Sequence, residues 1–456
     1  MILLALAIFP IASRTQGTIE ATSEWLSRSS IRQGNEVAWF ADPTDRGSIT
    51  TSLYTGTPGP ILFYLEFFRQ TGERKYLETA RQGADGLLSK IRVLDGQNSS
   101  SLSASSTSGS SALYRDNDPG LSHSGLYVGL SGIGYTLGEA YRVTGDLRYL
   151  EGARTVVRLL AKRAVAVKGD GVEWNKYLDI TDGGSGIGLF LLWADQKLGI
   201  REAKGLAVKA ANHLLNVAIK DDASKGLKWI RPAATREWPN FSHGTAGVAY
   251  FLATLYARTK EDRFLEAALL GTKYLLSIAD STAKYCLIRH INDEEGRQRF
   301  YLSWCHGPPG TARLFYRLYL VTKERKWLDW LKRSAAGITK QGGPEKVVTP
   351  GDWDNVSVCC GVAGQARFFL DMFRVTKEKR YKRLADVATA RLLKKATVDS
   401  NGARWIQAEN RTRQGEKVAQ TGYMQGASGI GIWLLQLKAF NRRSAKARIV
   451  LPDDPF

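Results

Sequence analysis

The 456-residue sequence is poor in cysteine, holding only Cys286, Cys305, Cys359 and Cys360, two of them adjacent. Four are too few to staple a chain of this size, so a disulfide framework does not organise the fold. A bridge between the neighbours Cys359 and Cys360 would need strained geometry, whereas two neighbouring thiolates on one metal ion would not, and metal binding is the better reading of the pair. Long hydrophobic runs are also missing. The apolar stretch from Ile2 to Ala12 is too short to cross a bilayer, and no basic residue precedes it. That excludes a transmembrane helix and leaves 1–17 as at most a signal-like segment, with cleavage near Ala12 or Gly17. The compartment therefore stays open between cytoplasm and export. Acidic residues are the third shortage: 44 Asp and Glu stand against 64 Lys and Arg, a net charge of +20. An excess of that size favours an anionic partner such as an acidic peptide or a carboxylate ligand. No RNP signature, C₂H₂ spacing or basic stripe interleaved with aromatics is present, so nucleic acid has only the global charge behind it and is not expected as a partner.

What the chain has in quantity is glycine in pairs. Hydrophobic residues at 43% and charged residues at 24% are ordinary for a globular protein, and the length alone suggests about three domains. Internal repetition overturns that prior. A G-x-x-G pair followed by an apolar run occurs seven times, with second glycines at Gly59, Gly132, Gly186, Gly247, Gly310, Gly364 and Gly429. The runs, such as VAYFLATLYAR after Gly247, are of helix length and apolar on every side, which predicts buried helices. Twelve residues beyond the second glycine, five units carry a threonine: Thr71, Thr144, Thr259, Thr322 and Thr376. Each is expected to N-cap a second, amphipathic helix.

A unit of one apolar and one half-polar helix cannot bury its faces alone, so stacking is required. Residues 18–32 form a further amphipathic helix before the first unit, and the last apolar helix lacks an outer partner. Pairing the two ends closes a ring, and the expected fold is an all-α toroid of about seven inner and seven outer helices, spanning 18–441, with 442–456 as a C-terminal tail. The Ser-rich stretch 98–111 is read as a flexible insertion. The longer connections at 221–239, 292–300, 342–355 and 400–417 are expected to rim the mouth where the seven glycine loops meet.

The loops differ sharply beside their first glycine. Consecutive ones read Ser242-His243-Gly244, Trp304-Cys305-His306-Gly307 and Val358-Cys359-Cys360-Gly361. Three successive repeats thus place imidazole or thiol groups at equivalent helix starts, where the helix dipole favours thiolate. A cysteine before glycine also serves as a small buried hydrophobe, and a histidine there as a cap. The set in register points instead to one zinc ion held by Cys305, Cys359 and Cys360, with a fourth position open, the catalytic pattern. Cys286, His123, His213 and His290 lie out of register and receive no role.

SHGTAG, WCHGPPG and CCGVAG, in that order on a sevenfold glycine repeat, resemble the lanthionine synthetase C family, the lantibiotic cyclases and their LanC-like relatives, over 18–441. The resemblance implies an α/α toroid with a central zinc and a reaction in which a cysteine thiol adds to dehydroalanine or dehydrobutyrine to form a thioether. It carries Cys305 and Cys359 over as ligands and puts Cys360 where most members have histidine. It places His243 as the acid that protonates the α-carbon, and Asp179 as the carboxylate that orients or balances it. His306 stands where bacterial cyclases often have tyrosine, which lets the acid–base role be shared. The family's arginine before the W-C pair has no match at its offset, where Tyr301 stands, and Arg299 is the nearest substitute.

The partners so implied are a dehydrated precursor peptide or a glutathione-like thiol, with a separate dehydratase to make the acceptor. Two other expectations stand beside this one: a non-catalytic protein that holds zinc and glutathione, and, ranked last, a toroidal glycosidase or epimerase built on the Asp179 and Asp182 pair.

Overall fold

The computed structural model describes residues 2–97, 113–114, 118–231, 236–293, 299–346, 355–407, 417–444, 446 and 448–456, with only the backbone considered for 2–13. The Ser-rich stretch 98–111 lies outside the described residues, as do parts of the other long connections. In chain order the helices are α1 (Ile2–Arg28), α2 (Pro58–Thr71), α3 (Arg74–Gln97), α4 (Pro119–Ser122), α5 (Leu130–Thr144), α6 (Leu147–Arg163), α7 (Gly184–Leu198) and α8 (Glu202–Asn216). They continue as α9 (Thr245–Thr259), α10 (Asp262–Ser277), α11 (Pro308–Thr322), α12 (Lys326–Lys340), α13 (Val362–Thr376), α14 (Lys379–Lys395) and α15 (Ala427–Asn441). No helix among the described residues is long and apolar enough to cross a membrane.

The seven helices that follow glycine pairs, α2, α5, α7, α9, α11, α13 and α15, each pack on the next, and α15 returns to α2 to close the ring. Six outer helices pack antiparallel on their inner partners, and α1 packs against α15 as the seventh. The expected toroid is therefore the fold. The helix anticipated at 18–32 begins earlier, at Ile2, and ends at Arg28, because Ser30–Gln33 turns back at Gly34 to pair with Glu36–Trp39.

The five threonines do not open the outer helices. Each is the last residue of an inner helix, its hydroxyl donating to the carbonyl four residues back and accepting the N–H two residues on, as Thr322 does with Leu318 and Glu324. The residue after each threonine ends the helix in the left-handed region: Gly72 and Gly145 at φ 81° and 72°, and Lys260, Lys323 and Lys377 at 60–62°. A side-chain cap of an outer helix is seen instead at Asp146, which accepts the N–H of Arg148.

The long connections contain short antiparallel hairpins that the repeat reading passes over. Four of them end in a tryptophan, Trp39, Trp174, Trp229 and Trp405, and each indole N–H donates to a carbonyl near the end of the preceding outer helix, at Leu26, Leu160, Leu214 and Leu392, over 2.7–2.9 Å. This bond folds each hairpin back over its outer helix and directs the chain inward to the next glycine loop.

At the mouth, the residue two before each first glycine joins a closed circle of backbone hydrogen bonds. Tyr54 N–H donates to Tyr127 O, Tyr127 to Thr181, Ile180 to Ser242, Ser242 to Cys305, Cys305 to Cys359, Cys359 to Met424 and Met424 back to Tyr54, over 2.8–3.2 Å. The glycines allow this closeness. A β-carbon at Gly307 would stand 2.1 Å from Tyr301 O, and one at Gly310 only 1.9 Å from Trp304 O. Seven side chains are thus brought to the hub by backbone alone, and the following residue of each loop, among them Asp182, His243, His306, Cys360 and Gln425, stands at the next register position.

The segment set apart as a tail at 442–456 enters the bore from the other end. Ile449 N–H donates to Glu66 on α2, Gln436 on α15 donates to Ile449 O, and Tyr135 on α5 donates to Val450 O. Leu451 and Asp453 are buried, and the Phe456 ring stacks on Tyr316 of α11 at 4.6 Å.

Candidate metal centre and active site

Cys305 sits just before α11, and Cys359 and Cys360 just before α13, at the ends of these helices whose dipoles favour negative charge. One sulfur from each of the three residues lies within 4.8 Å of the others, and the Cys305 and Cys360 sulfurs are 3.6 Å apart. Tetrahedral zinc with bonds of ~2.3 Å would set two sulfurs about 3.8 Å apart, so the spacing suits a thiophilic ion. All three cysteines are free thiols. Polar donors already face the sulfurs: Tyr54 OH donates to Cys359 at 3.0 Å, Gln425 Nε2 to Cys360 at 3.4 Å, and Ser303 Oγ lies 3.2 Å from Cys305. Hydrogen bonds from Cys359 and Cys360 draw the Cys305 thiol well below its usual value. Burial pushes Cys359 up, and its bond to Cys305 pushes Cys360 up. Three sulfurs this close, with polar donors around them, make a donor set that fits a metal.

The cysteines open on a cavity of about 210 Å³ whose wall includes Tyr54, Ser242, His243, His290, Tyr301 and His306. His243 is fixed from behind. Its Nδ1 lies 2.9 Å from Asp179 Oδ2, while Asp179 Oδ1 accepts the N–H groups of Thr181, Asp182 and Gly183 over 2.8–3.1 Å. Burial would raise the Asp179 carboxyl, but the bond to His243 and those backbone N–H groups bring it below its ordinary 3.8. The ionised carboxylate accepts a hydrogen bond from Nδ1–H, which leaves Nε2 of His243 as the nitrogen able to exchange a proton.

A family model described as lanthionine synthetase C-like protein matches residues 47–447. The chain belongs to that family. Nisin cyclase shares the fold of this LanC-like chain, at 17% identity and a TM-score of 0.57, over 88% of the chain and 90% of the cyclase. The zebrafish (Danio rerio) protein named glutathione S-transferase LANCL1 is 21% identical over 163 residues, 36% of either chain, so the match spans about a third of that relative. An α-1,6-mannanase from Salegentibacter sp. is similar at 16% identity over 78% of the chain and 99% of its own, with a TM-score of 0.46.

In the LanC-like ring, six of the seven residues proposed from sequence come to one mouth. The exception is Arg299, an exposed residue whose backbone carbonyl accepts the N–H of His290 at 2.9 Å and whose side chain is not part of the cavity wall. Tyr301 and His290 occupy that wall instead. The His290 ring packs edge-on to Tyr301 at 4.1 Å and to His306 at 4.4 Å, and His306 stands 5.6 Å from His243. Burial, with the neighbouring His306, Arg236 and Arg299, depresses His290 to about 3, so it works as a neutral imidazole. His290 is fifteen residues before Cys305 and outside the repeat register; only its pairing with residue 299 brings it in, a signal no linear motif carries. Cys286 and His213 stay away from the cavity, the first in a hairpin strand with its thiol pushed up to about 12 by burial, the second on α8 facing Glu173.

A second imidazole–carboxylate pair stands on the neighbouring loops. His123 Nδ1 lies 3.1 Å from Asp182 Oδ2, and burial pushes the Asp182 carboxyl from 3.8 up to about 6. The folded protein therefore holds this proton more tightly than the unfolded chain does. Well below pH 3.8 both states are protonated and nothing is lost, whereas from about pH 3.8 to 6 the unfolded chain ionises first and stability falls. Asp182→Asn is expected to raise stability at pH 7 by about 2–3 kcal/mol and to leave it nearly unchanged at about pH 3. Urea titrations at the two pH values measure the difference, and equal gains at both would refute it.

Proposed function

We propose that this LanC-like protein is a zinc enzyme that adds a cysteine thiol to a dehydroamino acid, closing a thioether within a peptide or joining a glutathione-like thiol to a dehydrated one. The observation that carries the reading is the opening of the three-sulfur cluster and the Asp179-fixed His243 onto a single cavity. Cys305, Cys359 and Cys360 would hold the zinc, which when bound supplies a Lewis acid that lowers the pKa of a substrate thiol. Attack of sulfur on the β-carbon moves the alkene electron pair toward the carbonyl, and the α-carbon must then receive a proton. His243 Nε2 takes up the proton released by the thiol and returns it to that carbon, its imidazolium balanced by Asp179. The thiol proton ends on the α-carbon, so atoms balance without a reductant or oxidant. His306, at the equivalent position one loop on, lies close enough to share the proton traffic.

A cavity of about 210 Å³ takes the reacting side chains but not a whole peptide, so the remainder lies across the mouth. The net charge of +20 suits an acidic leader segment or the carboxylates of a glutathione-like thiol. Asp179 and Asp182 each face an imidazole, so this pair is committed to histidines rather than set for glycoside chemistry. The test is incubation of the zinc-loaded protein with a dehydroalanine peptide, with glutathione or an internal cysteine as thiol, read by mass spectrometry. Adduct above the uncatalysed rate is expected. A protein that binds one zinc per chain yet forms no adduct is a thiol-binding LanC-like protein, and one that binds no zinc overturns the reading altogether.

A further inference from the structure

The helices that carry the cysteines touch each other less than most inner neighbours do: α11 with α13 and α13 with α15 make few direct contacts, whereas α9 with α11 and α15 with α2 make many. The C-terminal segment fills the gap. Asp453 accepts from Arg313 of α11 at 2.8 Å and from the indole N–H of Trp304, the residue before Cys305, at 3.1 Å. Asp454 accepts from Arg367 of α13 at 2.7 Å, and Arg367 also donates to Tyr423 in the seventh loop. Phe456 bridges the same two helices through Tyr316 and Phe368. We infer that Asp453 and Asp454 are positioning residues for the metal centre: the adjacent carboxylates hold α11, α13 and Trp304 in the register that brings Cys305 to Cys359 and Cys360.

The chemistry makes the hold obligatory. Arg313 and Arg367 are at most 8% exposed at their side chains and both acidic partners are at 0%, so a bore without the segment would contain two uncompensated guanidinium groups. Burial works against ionised Asp454, yet Arg367, Arg313 and Arg448 together bring its carboxyl down to about 2. Trp304 passes the restraint on, because its ring packs edge-on between Tyr127 and Phe241, from the second and fourth loops, and its neighbour Cys305 donates to Cys359 O in the hub circle. An outer support of this kind sets ligand spacing without touching the ion.

The inference rests on the metal reading above. It is tested by titrating stripped full-length protein with Zn²⁺ against a chelator and with Co²⁺ by absorption, in wild type, Asp453→Asn, Asp454→Asn and Trp304→Phe. Glu139→Gln is the control, since Glu139, on α5, is a fully buried partner of Arg142 on the same helix and of Arg69 on α2, remote from the cysteines in the ring order. Asp453→Asn is expected to weaken zinc by about tenfold or more and to alter the cobalt bands. Trp304→Phe should move both the same way and less, while Glu139→Gln loses stability and leaves both unchanged. If Asp453→Asn does not fold, Trp304→Phe keeps the ion pair and decides alone. Wild-type affinity and an unaltered cobalt spectrum in Trp304→Phe and in every Asp variant that folds overturn the inference, as does an equal shift in the control. Wild type that takes up neither metal sinks the metal reading itself, a result distinct from variants that match a zinc-binding wild type.

Discussion

Asp179→Asn will lower turnover by about 10³- to 10⁴-fold while the zinc content stays at the wild-type level. The size of the effect follows from how the carboxylate is divided. Oδ1 is committed to three backbone N–H groups, so an asparagine at this position must leave its own oxygen there and turn its NH₂ toward His243. Facing a donor, the imidazole has to present Nδ1 as acceptor and place its proton on Nε2. The nitrogen that ought to accept the thiol proton is then already protonated, and the imidazolium formed in the reaction has lost its counter-charge. The substituted side chain keeps the shape and the backbone bonds of aspartate, so the fold of the loop is preserved. The depressed value of Asp179 sets the pH range of the pair: its contribution is present above the ordinary 3.8 and is lost as pH falls through the lower folded value. Adduct formation under single-turnover conditions, with zinc measured on the same preparation, checks the prediction. A fall of less than about tenfold would remove His243 from the proton transfer and shift the role to His306.

Much of this is legible in the sequence because the hub is made of backbone. Two glycines per loop are needed where a β-carbon would stand 1.7–2.5 Å from a neighbouring backbone atom, and that requirement repeats seven times with the fold. The register of His243, Cys305, Cys359 and Cys360 follows directly from it. Features that depend on encounter between distant segments do not repeat and are not legible. His290 reaches the cavity through pairing with residue 299, His123 meets Asp182 across two loops, and Asp453 meets the Trp304 indole by threading the bore. Two signals, in contrast, were present in the letters. G-x-x-W occurs at Gly171, Gly226 and Gly402 and marks the hairpins whose tryptophans bind back to the outer helices. The glycine after Thr71 and after Thr144 marks a helix end, and the lysines that replace it at 260, 323 and 377 hide the same left-handed conformation behind a residue that rarely adopts it.

Cys305→Ala will release the metal and bring adduct formation down to the uncatalysed rate, with a chain that remains folded. Cys305 is the sole proposed ligand from its loop, and the other two sulfurs are neighbours on one turn, so its loss leaves a candidate ligand set confined to a single loop. Apparent zinc binding energies of ~10–16 kcal/mol for four-ligand sites put each ligand at ~3–4 kcal/mol, or about 10²- to 10³-fold in affinity. Folding should survive because the hub circle uses the N–H and carbonyl of Cys305 rather than its sulfur, and because Trp304, Arg313 and Asp453 are untouched. Cys286→Ala serves as the comparison: its thiol is equally buried but lies in a hairpin strand, and zinc and turnover should both persist. Metal analysis after gel filtration, beside circular dichroism, reads both variants. Zinc retained at one per chain by folded Cys305→Ala would mean that an imidazole of the same cavity, His306 or His243, completes the site, and the division of labour between sulfur for binding and imidazole for proton transfer would fall.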